Sequence, residues 1–259
     1  RFDGANCISL RQGDDSLGLD FESVSSIAFL SEQVIIAGSN AGKLQVIDLI
    51  NQKTDDYKLS QLVGKRIESI EVVKNNIYVT TSDAFWVIDS KSFEINKDLS
   101  ISRTGKVYFL KKDFFGLVWM SCDKGLFLQR GEGKFFKVPN SQGLKLLNLV
   151  SNEKEYWAIS ESNIYKINSQ LSISPLNIQN FNPAAYSFKV IGIYQNKLML
   201  GSEENGFWII DEIENEVTNC LSQSDAYPYY SDITRSIQDA DGNLYICTAG
   251  DGLLHIDLK

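Results

Sequence analysis

The sequence predicts an all-β chain built as a β-propeller, and three observations carry that prediction. One motif occurs six times: Ile35-Ile36-Ala37-Gly38-Ser39, Ile77-Tyr78-Val79-Thr80-Thr81, Val118-Trp119-Met120-Ser121-Cys122, Tyr156-Trp157-Ala158-Ile159-Ser160, Leu198-Met199-Leu200-Gly201-Ser202 and Leu244-Tyr245-Ile246-Cys247-Thr248. Its first residues are spaced 42, 41, 38, 42 and 46 apart. No helical stretch lies between the copies. Short apolar runs at such a period are the mark of propeller blades. The architecture alone leaves function open, since propellers are platforms for unrelated tasks.

Each copy resolves into four short strands, A to D. In the first repeat, A spans 24–30, B 34–38, C 43–48 and D 55–59. The other A strands are expected at 67–72, 107–111, 145–150, 187–193 and 233–237. A residue tolerant of positive φ precedes strand C in most repeats: Gly42, Gly125, Asn163, Gly206 and Gly252. Ala84 takes that place in the second repeat, which predicts a different turn. Strand C ends on Asp48, Asp89, Asn168, Asp211 and Asp257, short side chains suited to bonding nearby backbone amides, with Arg130 the exception. Many strands are continuous apolar runs, as expected where both faces of a blade are covered.

The sixth repeat has strands A, B and C but no D. Residues 6–10 are expected to supply it by pairing with 253–257, closing one domain over residues 1–259 and removing a free edge. Six four-stranded antiparallel blades follow, with seven in an intact parent as the alternative, because Arg1-Phe2-Asp3 duplicates His255-Ile256-Asp257. The chain begins at Arg1 with no leader pattern, so it is expected to be a piece of a longer protein.

Composition narrows the function classes. A hydrophobic content of 43% with 11% aromatic residues is ample for a core. A net charge of −8 argues against nucleic acid, which needs a basic face, and against anionic membrane surfaces. The longest apolar stretches, such as 114–120, are too short to span a bilayer. Cys7, Cys122, Cys220 and Cys247 form no CxxC pair, and three sit in or beside strands, where cysteine acts as a small buried hydrophobe.

The repeat is similar to the two-component regulator propeller repeat, whose core reads D-x-x-G-x-L-W-I-G-T-x-x-G-L-x-x-Y/F-D. The best match is Asp239-Ala240-Asp241-Gly242-Asn243-Leu244-Tyr245-Ile246-Cys247-Thr248-Ala249-Gly250-Asp251-Gly252-Leu253-Leu254-His255-Ile256-Asp257. Residues 118–127 are a second copy, and Arg1-Phe2-Asp3-Gly4 resembles the tail of another; copies one, two and four depart from the pattern. The resemblance implies the extracytoplasmic sensor region of a bacterial signalling protein, such as an oligosaccharide-responsive hybrid histidine kinase or a diguanylate cyclase. Similar propellers also occur in a secretion-system accessory protein, which keeps an interaction scaffold in an envelope assembly as the alternative. Either reading implies a periplasmic or extracellular location.

The residue types that carry chemistry are sparse. The second-position aromatics of strand B, Tyr78, Trp119, Trp157 and Tyr245, read as packing between blades, as do Trp86 and Trp208. Asp239 to Asn243 resembles the start of a calcium loop but lacks the bidentate Glu and reads as the A–B turn. His255 is the only histidine and has no metal-ligating neighbour in sequence, so neither a metal nor any other cofactor is expected. Asp14-Asp15 and Glu203-Glu204 read as solvated loop carboxylates. No catalytic set stands out, which argues against a propeller hydrolase or lyase.

Specificity in such a fold belongs to its loops. The connections from strand D to the next strand A are aromatic-rich in two places, 180–186 with Phe181 and Tyr186, and 225–231 with Tyr227, Tyr229 and Tyr230. Lys65, Arg66 and Arg103 are the basic residues in the matching connections. Aromatic rings beside Asn and Asp suit a saccharide-like ligand or a protein partner, or pin their own loops. The expected partners are adjoining domains of the same protein and a saccharide-like small ligand. Nucleic acid and direct membrane insertion are not expected, and a homodimer would form through the parent protein.

Overall fold

The computed structural model describes residues 18–21, 23–51, 53–96, 101–102, 104–130, 134–202, 206–219, 233–238, 244–248 and 253–256. Every repeat folds as an antiparallel meander. Sheet one contains β1 (Val24–Phe29), β2 (Val34–Ser39), β3 (Leu44–Asp48) and β4 (Lys53–Tyr57). Sheet two contains β5 (Ile67–Val73), β6 (Asn76–Thr81), β7 (Ala84–Asp89) and the two-residue β8 (Ile101–Ser102). Sheet three is formed by β9 (Val107–Lys112), β10 (Val118–Cys122), β11 (Gly125–Arg130) and β12 (Lys134–Lys137). Sheet four holds β13 (Asn148–Ser151), β14 (Tyr156–Ile159), β15 (Ile164–Ile167) and β16 (Ile173–Pro175). Sheet five holds β17 (Phe188–Tyr194), β18 (Lys197–Ser202), β19 (Phe207–Asp211) and β20 (Glu216–Asn219). Among the described residues sheet six has three strands, β21 (Ile233–Gln238), β22 (Leu244–Thr248) and β23 (Leu253–Ile256). The one helical turn among these residues is the 3-10 segment Pro183–Ala185.

The chain divides into two units, each with its own core. One takes the described residues of Arg1–Lys112, Gly116–Met120 and Gln129–Phe135; the other takes those of Asp113–Phe115, Ser121–Leu128 and Phe136–Lys259. In the first, β1 lies beside β5 and β5 beside β9. Ile36 and Leu44 pack against Ile67, Ile70, Ile77 and Ile88, with Leu62 inserted from the β4–β5 connection. In the second, β13 neighbours β17 and β17 neighbours β21. Trp157, Ile159 and Ile164 meet Phe188, Ile191 and Leu198, while Val190, Met199 and Phe207 meet Ile233 and Ile246. Each such side chain taken fully out of water contributes about 1.5–3 kcal/mol.

In the first and fifth repeats the fourth residue of strand B is glycine for a steric reason. A Cβ on Gly38 would lie 2.7 Å from Ile67 Cγ2, and one on Gly201 would lie 2.6 Å from Ile233 Cγ2. Gly at these positions lets strand B of one sheet approach the first residue of the next strand A. That first residue is set off by an irregularity of register, between Val24 and Ser26, Ile67 and Ser69, Phe188 and Val190, and Ile233 and Arg235. One extra residue bends the strand and re-aims its side chains.

Neighbouring A strands are also tied by hydrogen bonds. The Ile70 amide donates to Ser26 Oγ at 3.0 Å and Ser69 Oγ donates to the Leu110 carbonyl at 3.4 Å. The Lys112 amide donates to the Glu71 carboxylate. Burial pushes Glu71 above the ordinary carboxylate range, opposed by the charge and amide of Lys112 and by the charge of Lys111.

Turns follow the polar residues that end strand C. Asp48 Oδ1 accepts the amides of Ile50 and Asn51, and Asp89 Oδ1 those of Lys91 and Ser92. Asn168 Oδ1 accepts Gln170 and Ser172, and Asp211 Oδ1 accepts Ile213 and Glu214. Gly42 has φ +79°, and a Cβ there would lie 1.7 Å from the Leu62 carbonyl oxygen, so this site excludes other residues. Gly125 and Gly206 also have positive φ. Asn163 does not, against the sequence expectation: its amide bonds Ser160 Oγ at 3.1 Å, and the hydroxyl closes the turn in an ordinary conformation.

Strand boundaries also differ, most at two starts. Strand D of sheet one starts at Lys53 rather than 55, because the Asp48 turn is complete by Asn51 and Lys53 pairs with Asp48. Strand A of sheet four starts at Asn148 rather than 145, since Leu146 belongs to the connection and is buried there. The proposed pairing of 6–10 with 253–257 lies outside the described residues.

Candidate functional site

Of the candidate site residues, Phe181 and Tyr186 are brought together. Their rings stack with centroids 5.7 Å apart and planes 15° apart, and Tyr186 lies 4.5 Å from the Trp208 ring. Both are half-buried against the core between sheets four and five. The loop owes this position to local polar chemistry. Asn182 caps the 3-10 turn by accepting the Ala184 amide at 3.2 Å, and Pro183 presets its first φ. Upstream, the Gln179 amide donates to Asn215 Oδ1 at 3.2 Å and Asn215 Nδ2 returns a bond to Gln179 Oε1, fastening the loop to the β19–β20 turn. The exposed parts of Phe181 and Tyr186, flanked by exposed Asn180 and Asn182, form a small aromatic surface edged with amides.

Lys65 and Arg66 belong to the first unit and each has a local acid. Lys65 Nζ reaches Asp83 Oδ1 and Oδ2, both at 3.1 Å, and Arg66 Nε lies 3.3 Å from Glu68 Oε2. Lys65 holds Asp83 below the ordinary carboxylate range, helped by the Thr81 hydroxyl. These pairs sit at the surface and offer an anion two partly compensated cations. Arg103, Tyr227, Tyr229 and Tyr230 lie outside the described residues, as do Asp14-Asp15, Glu203-Glu204, the 239–243 turn, Cys7 and Cys220.

The regular aromatics are packing residues. Tyr78 and Trp119 are fully buried and Trp157 is 4% exposed. The Tyr78 hydroxyl accepts Gln129 Nε2 at 2.6 Å and Asn76 Nδ2 at 3.3 Å, and burial pushes its phenol upward. Trp86 and Trp208 are half-buried on core clusters, and Tyr245 is half-buried. Cys122 is buried and free, its thiol pushed up by burial, which makes it unreactive.

Two features escaped the sequence reading. Lys166 Nζ contacts Glu155 Oε2 at 2.8 Å and Glu212 Oε2 at 3.0 Å while lying 5.5 Å from the centre of the Trp157 ring, so one lysine joins sheets four and five. Phe114 and Phe115, in the β9–β10 turn, are 63% and 56% exposed and meet edge to face at 5.5 Å. Among the described residues no three His, Cys, Asp or Glu side chains group as metal ligands, and no helix is long and apolar enough to cross a membrane.

No family model matches the chain, and no curated protein matches it in sequence. Solved structures do resemble it. The extracellular domain of BT4673 from B. thetaiotaomicron, a protein assigned as a one-component or hybrid two-component system, superposes with a TM-score of 0.72 at 13% identity. The match covers 90% of this chain and 32% of that one, so the chain spans about a third of the length of that domain. The WD40 β-propeller domain of Doa1 gives 0.65 at 14% identity, covering 90% and 78% of the two chains. PorZ, a surface component of the type-IX secretion system of Porphyromonas gingivalis, gives 0.61 at 15% identity, covering 92% and 31%. At these identities the likeness establishes architecture alone: the chain has the β-propeller fold.

Proposed function

We propose that this chain is a non-catalytic sensing or docking propeller on the extracytoplasmic side of a bacterial signalling protein. The observation that carries the reading is its fold likeness to the extracellular domain of BT4673 over nine-tenths of its length. The candidate contact surface comprises Phe181 and Tyr186 with Tyr227, Tyr229 and Tyr230, and its occupant is a saccharide-like ligand or an adjoining domain of the same protein. Sheets packed through fully buried side chains do not deform readily. A bound occupant would act by changing how the propeller rests against its neighbours, and that shift would pass to an output domain.

The test uses the full-length protein carrying Tyr227→Ala with Tyr229→Ala. Loss of the output response with an unchanged melting curve supports the reading. Loss of folding assigns these rings to loop packing, and an unchanged response in a folded variant overturns it. A second reading, an interaction scaffold in an envelope or secretion assembly, is favoured by the likeness to PorZ. It predicts co-purification with envelope proteins and no response to any saccharide.

A further inference from the structure

One end of the second unit combines exposed apolar side chains with a surplus of acidic over basic residues. The A–B and C–D turns of an antiparallel meander lie at the same end of their sheet, and a hydrogen bond and a shared lysine link three of these turns into one surface. The Phe114 amide of the β9–β10 turn donates to Ser151 Oγ at the end of β13, at 3.0 Å. The β13–β14 turn follows directly, and its Glu155 shares Lys166 with Glu212 of the β19–β20 turn. Across this span sit Phe114, 63% exposed, Phe115, 56% exposed, and Ile213, 87% exposed.

The charge on the same turns is one-sided. Asp113 is buried, and residues 152–155 and 212–215 carry Glu153, Glu155, Glu212 and Glu214 against Lys154. Lys166 offsets Glu155 and Glu212 from the neighbouring strand, and Lys197, paired with Asp211, offsets part of Glu214, which with Glu153 is exposed. Loop carboxylates alone would be an ordinary solvated surface. Three large apolar side chains at the tips of the same turns are not, because a turn tip gains nothing locally from Phe or Ile.

We infer that this turn surface docks a basic peptide segment of a partner protein, one whose lysines or arginines alternate with large apolar side chains. The apolar residues would seat against Phe114, Phe115 and Ile213, and the cations would face Glu153 and Glu214. Charge complementarity selects this occupant over an anionic membrane, which the same carboxylates repel. The inference goes beyond the sensor reading and does not depend on it, since it uses none of the residues of that surface.

The test is fluorescence anisotropy of a labelled synthetic peptide alternating lysine with leucine and phenylalanine, titrated with the full chain. A second peptide replaces the apolar residues with serine. The first should bind, with affinity falling as salt is raised. Phe114→Ser with Phe115→Ser should weaken it by at least about tenfold, equivalent to about 1.4 kcal/mol. Glu153→Lys with Glu214→Lys should weaken it and flatten the salt dependence, while Val63→Ser, an exposed apolar residue of the first unit, should change nothing. Should the double phenylalanine variant fail to fold, Ile213→Ser alone decides, because that side chain supports no core. Equal binding of both peptides, or indifference to all three turn variants, overturns the inference. So does a dimer in sedimentation that Phe114→Ser with Phe115→Ser abolishes, since a second copy would then be the occupant.

Discussion

Gly201→Ala probes the contact that sets the approach of sheet six to sheet five. The new methyl would stand 2.6 Å from Ile233 Cγ2, 3.1 Å from Ile233 Cβ and 3.2 Å from Val190 Cβ. Carbon atoms rest at about 3.5–4.0 Å, so the closest pair must open by about 1 Å. Ile233 is fully buried and cannot swing into solvent. Overpacking of this kind costs about 1–3 kcal/mol. Alanine returns about 0.4–1 kcal/mol by restricting the unfolded chain, since no positive φ is required at this glycine. The net expectation is a loss of about 1–2 kcal/mol. Ile233→Ala alone should cost about 2–5 kcal/mol through a cavity. The double variant should lose less than the sum, with a coupling of about 1 kcal/mol or more. Urea unfolding of the four proteins measures every term. A Gly201→Ala protein as stable as the parent, or strict additivity in the cycle, would refute the close-approach argument.

Further outcomes follow from the same packing and electrostatics. Trp119→Ala should cost about 3–5 kcal/mol in urea unfolding, because the whole indole is buried. Asp48, Asp89 and Asp211 are held below the ordinary carboxylate range, in each case chiefly by turn amides. A depressed folded-state value means that their stabilisation is present above the unfolded aspartate range and is lost as pH falls through the folded one. The urea midpoint should therefore drop on acidification, and Asp48→Asn with Asp89→Asn should flatten that drop. Glu155→Gln and Glu212→Gln should each cost about 0.5–1 kcal/mol, and together more than their sum, because either single change leaves Lys166 its other carboxylate and relieves the repulsion between the two. Removing residues 1–10 tests the proposed closure of sheet six: the melting temperature should fall, and an unchanged curve would make that segment a passive tail.

Strand positions were legible in the sequence because their cause is local. The B strands at 118–122 and 244–248 coincide with β10 and β22, where five consecutive residues match the repeat. The C–D turns were legible too, since Asp or Asn acts on amides two to four residues away. Residues 145–147 misled because a lone strand period cannot separate a strand from an apolar connection such as that of Leu146. The candidate site was legible only as composition. That Phe181 and Tyr186 would pack against Trp208 depends on a residue more than twenty positions downstream. The Lys166 clamp joins carboxylates 11 and 46 positions away, and nothing in the spacing of charges points to it.

The small fourth residue of strand B and the first residue of the next strand A act as a notch and a knob. Gly38 receives Ile67 and Gly201 receives Ile233. Two junctions between repeats of about 42 residues are therefore built alike. Deleting the whole repeats between them leaves a notch facing a knob, Gly38 against Ile233, so repeat number can change by gene duplication without redesign of that interface. Inserting half a repeat does not. A lineage built on this junction is expected to vary in its count of whole blades while keeping the spacing within each.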